Sequence, residues 1–350
     1  MNYKTISQMF YDKMQNSLQR EIFYYKNENK WKSLTGEDIL SIVEKISVSL
    51  YQNDIKYQDK VAILSNTSYK WALCDYGILS MGAVTTTVYP SLLPKQIEFI
   101  LNDSESKLIF VEDVMQLEKV KSIISNCPKL KTVVVMNNSA EKEEPYIKNL
   151  NTFLVIDKEE LNKQNVTFKD MVYKSEENDL VTLIYTSGTT GQPKGVMLSN
   201  KNLLSNIYGV SQIQKHIKDE IFLSFLPLSH VLERMAGHFY PMFINSKIYY
   251  AESMEKVAEN LGEVCPSVVV CVPRFFEKMY NGVIQKIKLG SKFKQKLFWW
   301  AIQVGKDYVA INNSSRKFPF FLKLKHSIAD KLIYSKIKQK IGKNIKFFIS

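Results

Sequence analysis

Arginine is scarce in this 350-residue chain. Four, at positions 20, 234, 274 and 316, stand against forty-three lysines, so few residues can supply a planar guanidinium fork. Cysteine is equally sparse. Cys74, Cys127, Cys265 and Cys271 show neither metal-ligand spacing nor a disulfide framework, which suits packing roles in a reducing compartment. Long apolar runs are missing too: stretches such as Val268 to Val272 fall far short of the roughly 18 residues a membrane-crossing helix needs. The opening MNYKTISQMFYDKMQ has polar residues where a signal peptide carries its apolar segment. A cytoplasmic protein is expected. There is no internal repeat of fixed period and no low-complexity tract. Both common nucleotide signatures are absent: Pro193-Lys194-Gly195 replaces the Gly-Lys-[Ser/Thr] of a Walker loop, and no Gly-x-Gly-x-x-Gly turn occurs.

What is present describes an ordinary globular protein, 45% apolar and 12% aromatic, long enough for two or three lobes. Its basicity is local. Residues 286 to 346 carry sixteen Lys or Arg against two acids, Asp307 and Asp330, while the whole chain is only +12. Lysines there interleave with LFWWAI, FPFFLKL and KLIYSKI, a composition expected to hold a protein peripherally at an anionic membrane, at about 1 kcal/mol per basic residue. A solvated helix face is the plainer alternative. Base reading favours Arg, nearly absent from this segment, which argues against nucleic acid.

The front half alternates. Thr35-Gly36-Glu37-Asp38 has capping-box form, with Ile39, Val43, Ile46 and Leu50 following at helical spacing. Strands are expected at 61–65, 83–89, 107–112 and 132–136, separated by helices at Ser68 to Met81, Lys95 to Leu101 and Met115 to Ile124. A polar surface loop is expected over Asn137 to Lys148. Further strands follow at 222–226, 247–250 and 267–272, then a mostly helical stretch, then a strand in the closing IKFFIS. Short apolar strands alternating with helices indicate an α/β protein whose mostly parallel sheets are covered on both faces.

The densest local chemistry is DLVTLIYTSGTTGQPKGVMLSN, residues 179 to 200. Gly188 and Gly191 permit backbone angles that turn successive N–H groups into one concavity, an anion nest. Thr186, Ser187, Thr189 and Thr190 add hydroxyls that can donate to phosphate oxygens or ligate Mg²⁺. Lys194 adds a mobile positive charge. A hydroxyl-rich hairpin turn would use the same residue types.

The full string YTSGTTGQPKGVMLS resembles the signature of the adenylate-forming (AMP-binding) superfamily. DKVAILSNTSYKWALCDYGILSMGAV, VYPSLLPKQIEFILNDSESKLIFVED, FLPLSHVLERM, CVPRFFEKMY and SKIKQKIGKNIKFFIS are similar, in order, to bacterial long-chain fatty-acid CoA ligases. The resemblance implies the large N-terminal domain of that fold, stacked mostly parallel sheets covered by helices, incomplete at the C-terminus. It implies a first α/β subdomain over 1–178 and a second over 179–350 carrying the phosphate loop, with the mobile C-terminal domain absent. ATP, Mg²⁺, coenzyme A and a fatty acid are the implied substrates and cofactors. Thr186, Ser187, Gly188, Thr189, Thr190, Gly191 and Lys194 would surround the β- and γ-phosphates, with Thr186 also the protein-side metal contact. His230 matches the position that the family sets near the reacting carboxylate; a packed core histidine is the alternative.

Glu233 and Arg234 complete the LPLSHVLER motif, and a helix-surface ion pair would explain them equally. Arg274 follows Pro273 as an ordinary helix start, although two of four arginines inside family motifs favour a need for the fork. One departure is Asn200, where many relatives have histidine; it is expected to cap the helix bearing Leu203, Leu204 and Ile207. The family's adenine-facing glycine strand, Thr-Glu pair, ribose aspartate and mobile lysine have no counterpart before Ser350. The 350-residue chain alone is therefore expected to show no fatty-acid-dependent ATP–pyrophosphate exchange. An adenylating ligase for another carboxylic acid, and a non-catalytic binding module that kept the fold, remain open alternatives.

Overall fold

The computed structural model describes residues 3–137, 144–156, 166–186, 192–213, 219–314 and 319–350. The chain forms two compact units, Met1–Met254 and Glu255–Ser350.

The first unit is built on two mostly parallel sheets. Its strands are β1 (Glu21–Asn27), β2 (Lys30–Thr35), β3 (Lys60–Leu64), β4 (Val84–Val88), β5 (Leu108–Val111), β6 (Thr132–Val135), β7 (Ile147–Asn149), β8 (Leu180–Thr186), β9 (Lys194–Ser199), β10 (Ile221–Ser224) and β11 (Lys247–Tyr250). One sheet runs β7-β6-β5-β3-β4-β8-β9, parallel except for the closing β8–β9 hairpin. The other contains β10, β11 and β1 in parallel, with β2 antiparallel at its edge. β3, β4 and β5 are buried along nearly their whole length, as apolar strands covered on both faces must be.

Helix Tyr69–Ser80 touches β3 and β4 of one sheet and β1 of the other. Its residues from Trp71 to Ser80 are all buried, the pattern of a helix enclosed on every side rather than an amphipathic one. Ser68 caps its start, accepting from Trp71 N. Gly82, at φ +81°, turns the chain into β4 where a Cβ would lie 2.6 Å from the Tyr57 ring, a position only glycine tolerates. Helix Gly36–Gln52 begins with the expected Thr35–Asp38 capping box. It buries Ile39, Val43, Ile46 and Leu50.

Two details of the sequence reading change. Residues 21–35, not expected as strands, form the β1–β2 hairpin. Of the polar stretch 137–148, residues 138–143 lie outside the described residues, while Ile147–Asn149 continues the sheet beside β6. The division expected at 178/179 falls just before β8, which pairs with β4 and so ties residues on both sides of it into one sheet.

The second unit is mostly helical, as expected. Helices Val257–Val264, Pro273–Lys288, Lys292–Asn312, Phe320–Ala329 and Ser335–Ile341 accompany β12 (Val268–Val270) and β13 (Phe347–Ile349). The apolar closing run is indeed a strand, parallel to β12 in the register Val268↔Phe347.

Candidate functional site

In a parallel sheet paired residues point to the same face, and so do alternate residues along each strand. Thr85 pairs with Thr182 and Thr87 with Ile184, so Thr85, Thr87, Thr182 and Thr186 share one face of the central strands. Across the antiparallel hairpin Thr186 is opposite Lys194, which puts the lysine on that face as well. Both are exposed. Between them Ser187, Gly188, Thr189, Thr190 and Gly191 lie outside the described residues. Thr186 and Lys194 thus frame the two ends of the candidate phosphate loop, at the C-terminal end of a parallel strand where α/β folds bind ligands.

The segment carrying His230 is fastened to the same strand ends. Thr87 Oγ1 donates to Ser229 O at 3.1 Å, and Ser229 Oγ donates to Val88 O at 3.3 Å. Thr67 bridges the segment twice, donating to Leu226 O at 2.6 Å and accepting from Leu228 N at 2.9 Å. His230 itself is exposed. Its Nδ1 accepts from Leu232 N at 3.2 Å, capping the short helix Val231–Glu233 and leaving Nε2 as the nitrogen directed away from that cap. The packed-core alternative for His230 does not hold.

Behind His230 is a buried polar cluster. A π-helical turn over Arg234–Phe239 follows the short helix, a distortion often found at functional sites. Arg234 is 1% exposed and Asp75 fully buried. The guanidinium donates to both carboxylate oxygens, Nε to Oδ2 at 2.9 Å and Nη2 to Oδ1 at 2.5 Å. Its Nη1 donates to Thr182 Oγ1 at 2.5 Å, and Thr85 Oγ1 donates to Asp75 Oδ1 at 2.7 Å. The rings of Trp71 and Phe239 lie 5.5 and 5.2 Å from the guanidinium carbon, within cation–π range.

Burial alone would raise the Asp75 carboxyl, but Arg234 and nearby His238 outweigh it and hold its pKa below the usual carboxylate value. His238 Nε2 is 3.3 Å from Asp75 Oδ2, off the line of a good hydrogen bond. Burial lowers the His238 pKa further than its carboxylate neighbour raises it. Glu233 has the opposite fate. Fully buried, it accepts from Ser224 Oγ at 2.6 Å, and burial outweighs that bond, pushing its pKa up to about 8. Its side chain folds under the π turn, where a Cβ on Gly237 would lie 2.4 Å from Oε1.

Among the described residues no group of three His, Cys, Asp or Glu side chains could hold a metal ion, and no helix is long and apolar enough to cross a membrane. The donors on the threonine face are hydroxyls and one ammonium, which suit a metal arriving already bound to phosphate oxygens rather than one held by the protein alone.

Residues 10–311 match the model of a family described as AMP-binding enzyme. The chain belongs to the AMP-binding enzyme family. Among curated relatives, a long-chain-fatty-acid–CoA ligase of Mycobacterium tuberculosis is 30% identical over 325 residues, covering 91% of this chain and 52% of the relative. A long-chain acyl-CoA synthetase of Arabidopsis thaliana is 27% identical over 326 residues, covering 90% and 47%. Among solved structures, the adenylation domain of a carboxylate reductase from Mycobacterium chelonae superimposes with a TM-score of 0.67 at 18% identity, over 97% of this chain and 53% of that one. The fold is shared, and the chain spans about half the length of the curated relatives it matches.

Within the family motif LPLSHVLER the sequence reading of Glu233 and Arg234 needs correction. They do not form a surface ion pair. Adjacent helical residues do not face each other, and both are buried with different partners, Ser224 and Asp75. Asp75 was missed altogether: it sits inside an apolar helix run, and an acid there was the available signal, since an unpaired buried carboxylate is prohibitively costly. Asn200 is not the cap either. Ser199 caps the helix beginning at Asn200, accepting from Asn202 N while Asn202 Oδ1 accepts from Ser199 N. Asn200 instead accepts from Ile6 N and donates to Glu176 O, both at 2.9 Å, tying the N-terminal helix to β8's approach. Arg274 is exposed near the start of helix Pro273–Lys288.

Proposed function

We propose that this chain supplies the triphosphate-binding wall of a ligase that activates a long-chain fatty acid with ATP and passes the acyl group to coenzyme A. The observation that carries the reading is the pairing of Thr186 with Lys194 at the mouth of the family's phosphate loop, on the strand face that also anchors the His230 segment. In such a reaction the fatty-acid carboxylate oxygen attacks the α-phosphorus, the bond to the bridging oxygen breaks and pyrophosphate leaves. The coenzyme A thiol then attacks the acyl carbon, losing its proton, and AMP departs.

Bringing one anion onto another is the main difficulty, so the protein's contribution is charge neutralisation and alignment. Lys194 and the hydroxyls and amides of residues 186–191 would take the β- and γ-phosphates. Thr186 would also meet the Mg²⁺ that accompanies ATP, whose chemistry is to neutralise the departing pyrophosphate. His230, exposed and with Nε2 directed away from its cap, would face the carboxylate. The relatives' long-chain names support a fatty acid as the acid.

The test is calorimetric titration of the 350-residue chain with magnesium pyrophosphate and with MgATP. Both are expected to bind, and Thr186→Ala is expected to weaken both by about tenfold, the loss of one hydroxyl contact to a charged group. Equal affinities for wild type and Thr186→Ala would overturn the reading.

A further inference from the structure

Helix Phe320–Ala329 presents two apolar faces, and the second unit uses one of them. Leu322 and Ala329 pack with Ala301, Val304 and Tyr334 into a small core. At about 100° per residue, Phe320, Leu324, Ile328 and Phe321 fall within about 100° of arc on the opposite side. Their exposures are 74, 50, 45 and 75%. Exposed Lys323 and Lys325 flank this stripe, inside a stretch with sixteen basic residues and two acids. A water-facing stripe of four large apolar side chains has no folding rationale of its own.

We infer that the Phe320–Ile328 face is a membrane-docking surface that inserts these four side chains into the headgroup region of an anionic bilayer while the surrounding lysines meet lipid phosphates. Apolar burial and basic charge on one helix are the two requirements for interfacial binding. Nucleic acid would satisfy the lysines but leave Leu324 and Ile328 uncovered, since aliphatic side chains offer no ring for a base to stack on. The inference stands on this surface alone and is independent of the ligase reading.

Cosedimentation of the full chain with extruded vesicles tests it. The chain is expected to pellet with phosphatidylglycerol vesicles and not with phosphatidylcholine vesicles, and to be released as salt rises. The double change Phe320→Ser/Phe321→Ser should lower the partition coefficient at least about tenfold, because two large rings no longer leave water. Lys323→Gln/Lys325→Gln should lower it several-fold. Both pairs are exposed, so circular dichroism and melting should match wild type. Absence of binding to anionic vesicles, equal binding to neutral ones, or indifference to the phenylalanine changes would overturn the inference. So would tighter capture by a single-stranded oligonucleotide, or self-association through the stripe in sedimentation equilibrium.

Discussion

Arg234 grips Asp75 through two parallel hydrogen bonds, Nε to Oδ2 at 2.9 Å and Nη2 to Oδ1 at 2.5 Å, with both side chains shut away from water. The pair links helix Tyr69–Ser80 to the π turn after His230, and the third guanidinium bond, to Thr182, reaches β8 four residues before Thr186. One arginine thereby holds together the helix between the sheets, the candidate phosphate-loop strand and the segment bearing His230.

Arg234→Ala leaves a buried carboxylate without its counter-charge. The unfolding free energy should fall by about 3–5 kcal/mol, as when one member of a buried pair is removed. Denaturant melts will measure it, and Asp75→Leu/Arg234→Met should recover most of the loss. A deficit under about 1 kcal/mol in Arg234→Ala would show that the pair is not the anchor described.

Glu233 gives stability a pH dependence of predictable sign. Its folded pKa of about 8 lies above the ordinary 4.5, so between these values the unfolded chain has lost a proton that the folded chain keeps. Stability falls as pH rises across that window. Glu233→Gln has no proton to lose there. The stability of Glu233→Gln relative to wild type should therefore increase from pH 5 to pH 8 by a few kcal/mol, on the order implied by about three pH units, and stay level above pH 9. A difference independent of pH would contradict the burial assigned to this carboxyl.

In the proposed site Lys194 acts through charge, which salt should reveal. Lys194→Gln is expected to weaken magnesium pyrophosphate binding by about tenfold at low ionic strength, with the gap to wild type narrowing as salt is added. Parallel salt dependences for the two proteins would mean that the ammonium does not face the anion.

Thr67 holds both ends of the turn that leads to His230. Thr67→Val keeps the shape but removes the acceptor for Leu228 N and the donor to Leu226 O. Hydrogen exchange of a peptide covering residues 226–230 should accelerate by about tenfold, the equivalent of a hydrogen bond to a buried group. The neighbouring strand β3 should stay protected. Unchanged exchange would assign the order of this turn to the Thr87–Ser229 bond instead.

The alternation of strands and helices was legible because β3 to β6 are apolar runs with clear punctuation, and their observed ends differ from the expected ones by a residue or so. The β1–β2 hairpin was not. Its turn uses Glu28 and Asn29 at φ 49° and 59°, where Asn-Gly would have been the sequence signal, and β2 is half exposed with mixed polarity. Thr186 and Lys194 were singled out from composition and resemblance, and His230 from the resemblance; the structure pairs Thr186 with Lys194 and leaves His230 exposed. The Asp75–Arg234 anchor escaped because its members are 159 positions apart and neither carries a local pattern that names its partner.

The hairpin register of β8 and β9 sets a length as well as a chemistry. A strand turns each successive side chain to the other side. Removing or adding one residue between Thr186 and Lys194 would either strain the connection or slide β9 by one step. The second outcome would swing the ammonium away from the face it shares with Thr186, the proposed anion side, without altering a single amino-acid identity. Seven intervening positions are thus a spacer whose count matters as much as its glycines, and single-residue indels there should be as damaging as loss of the lysine itself.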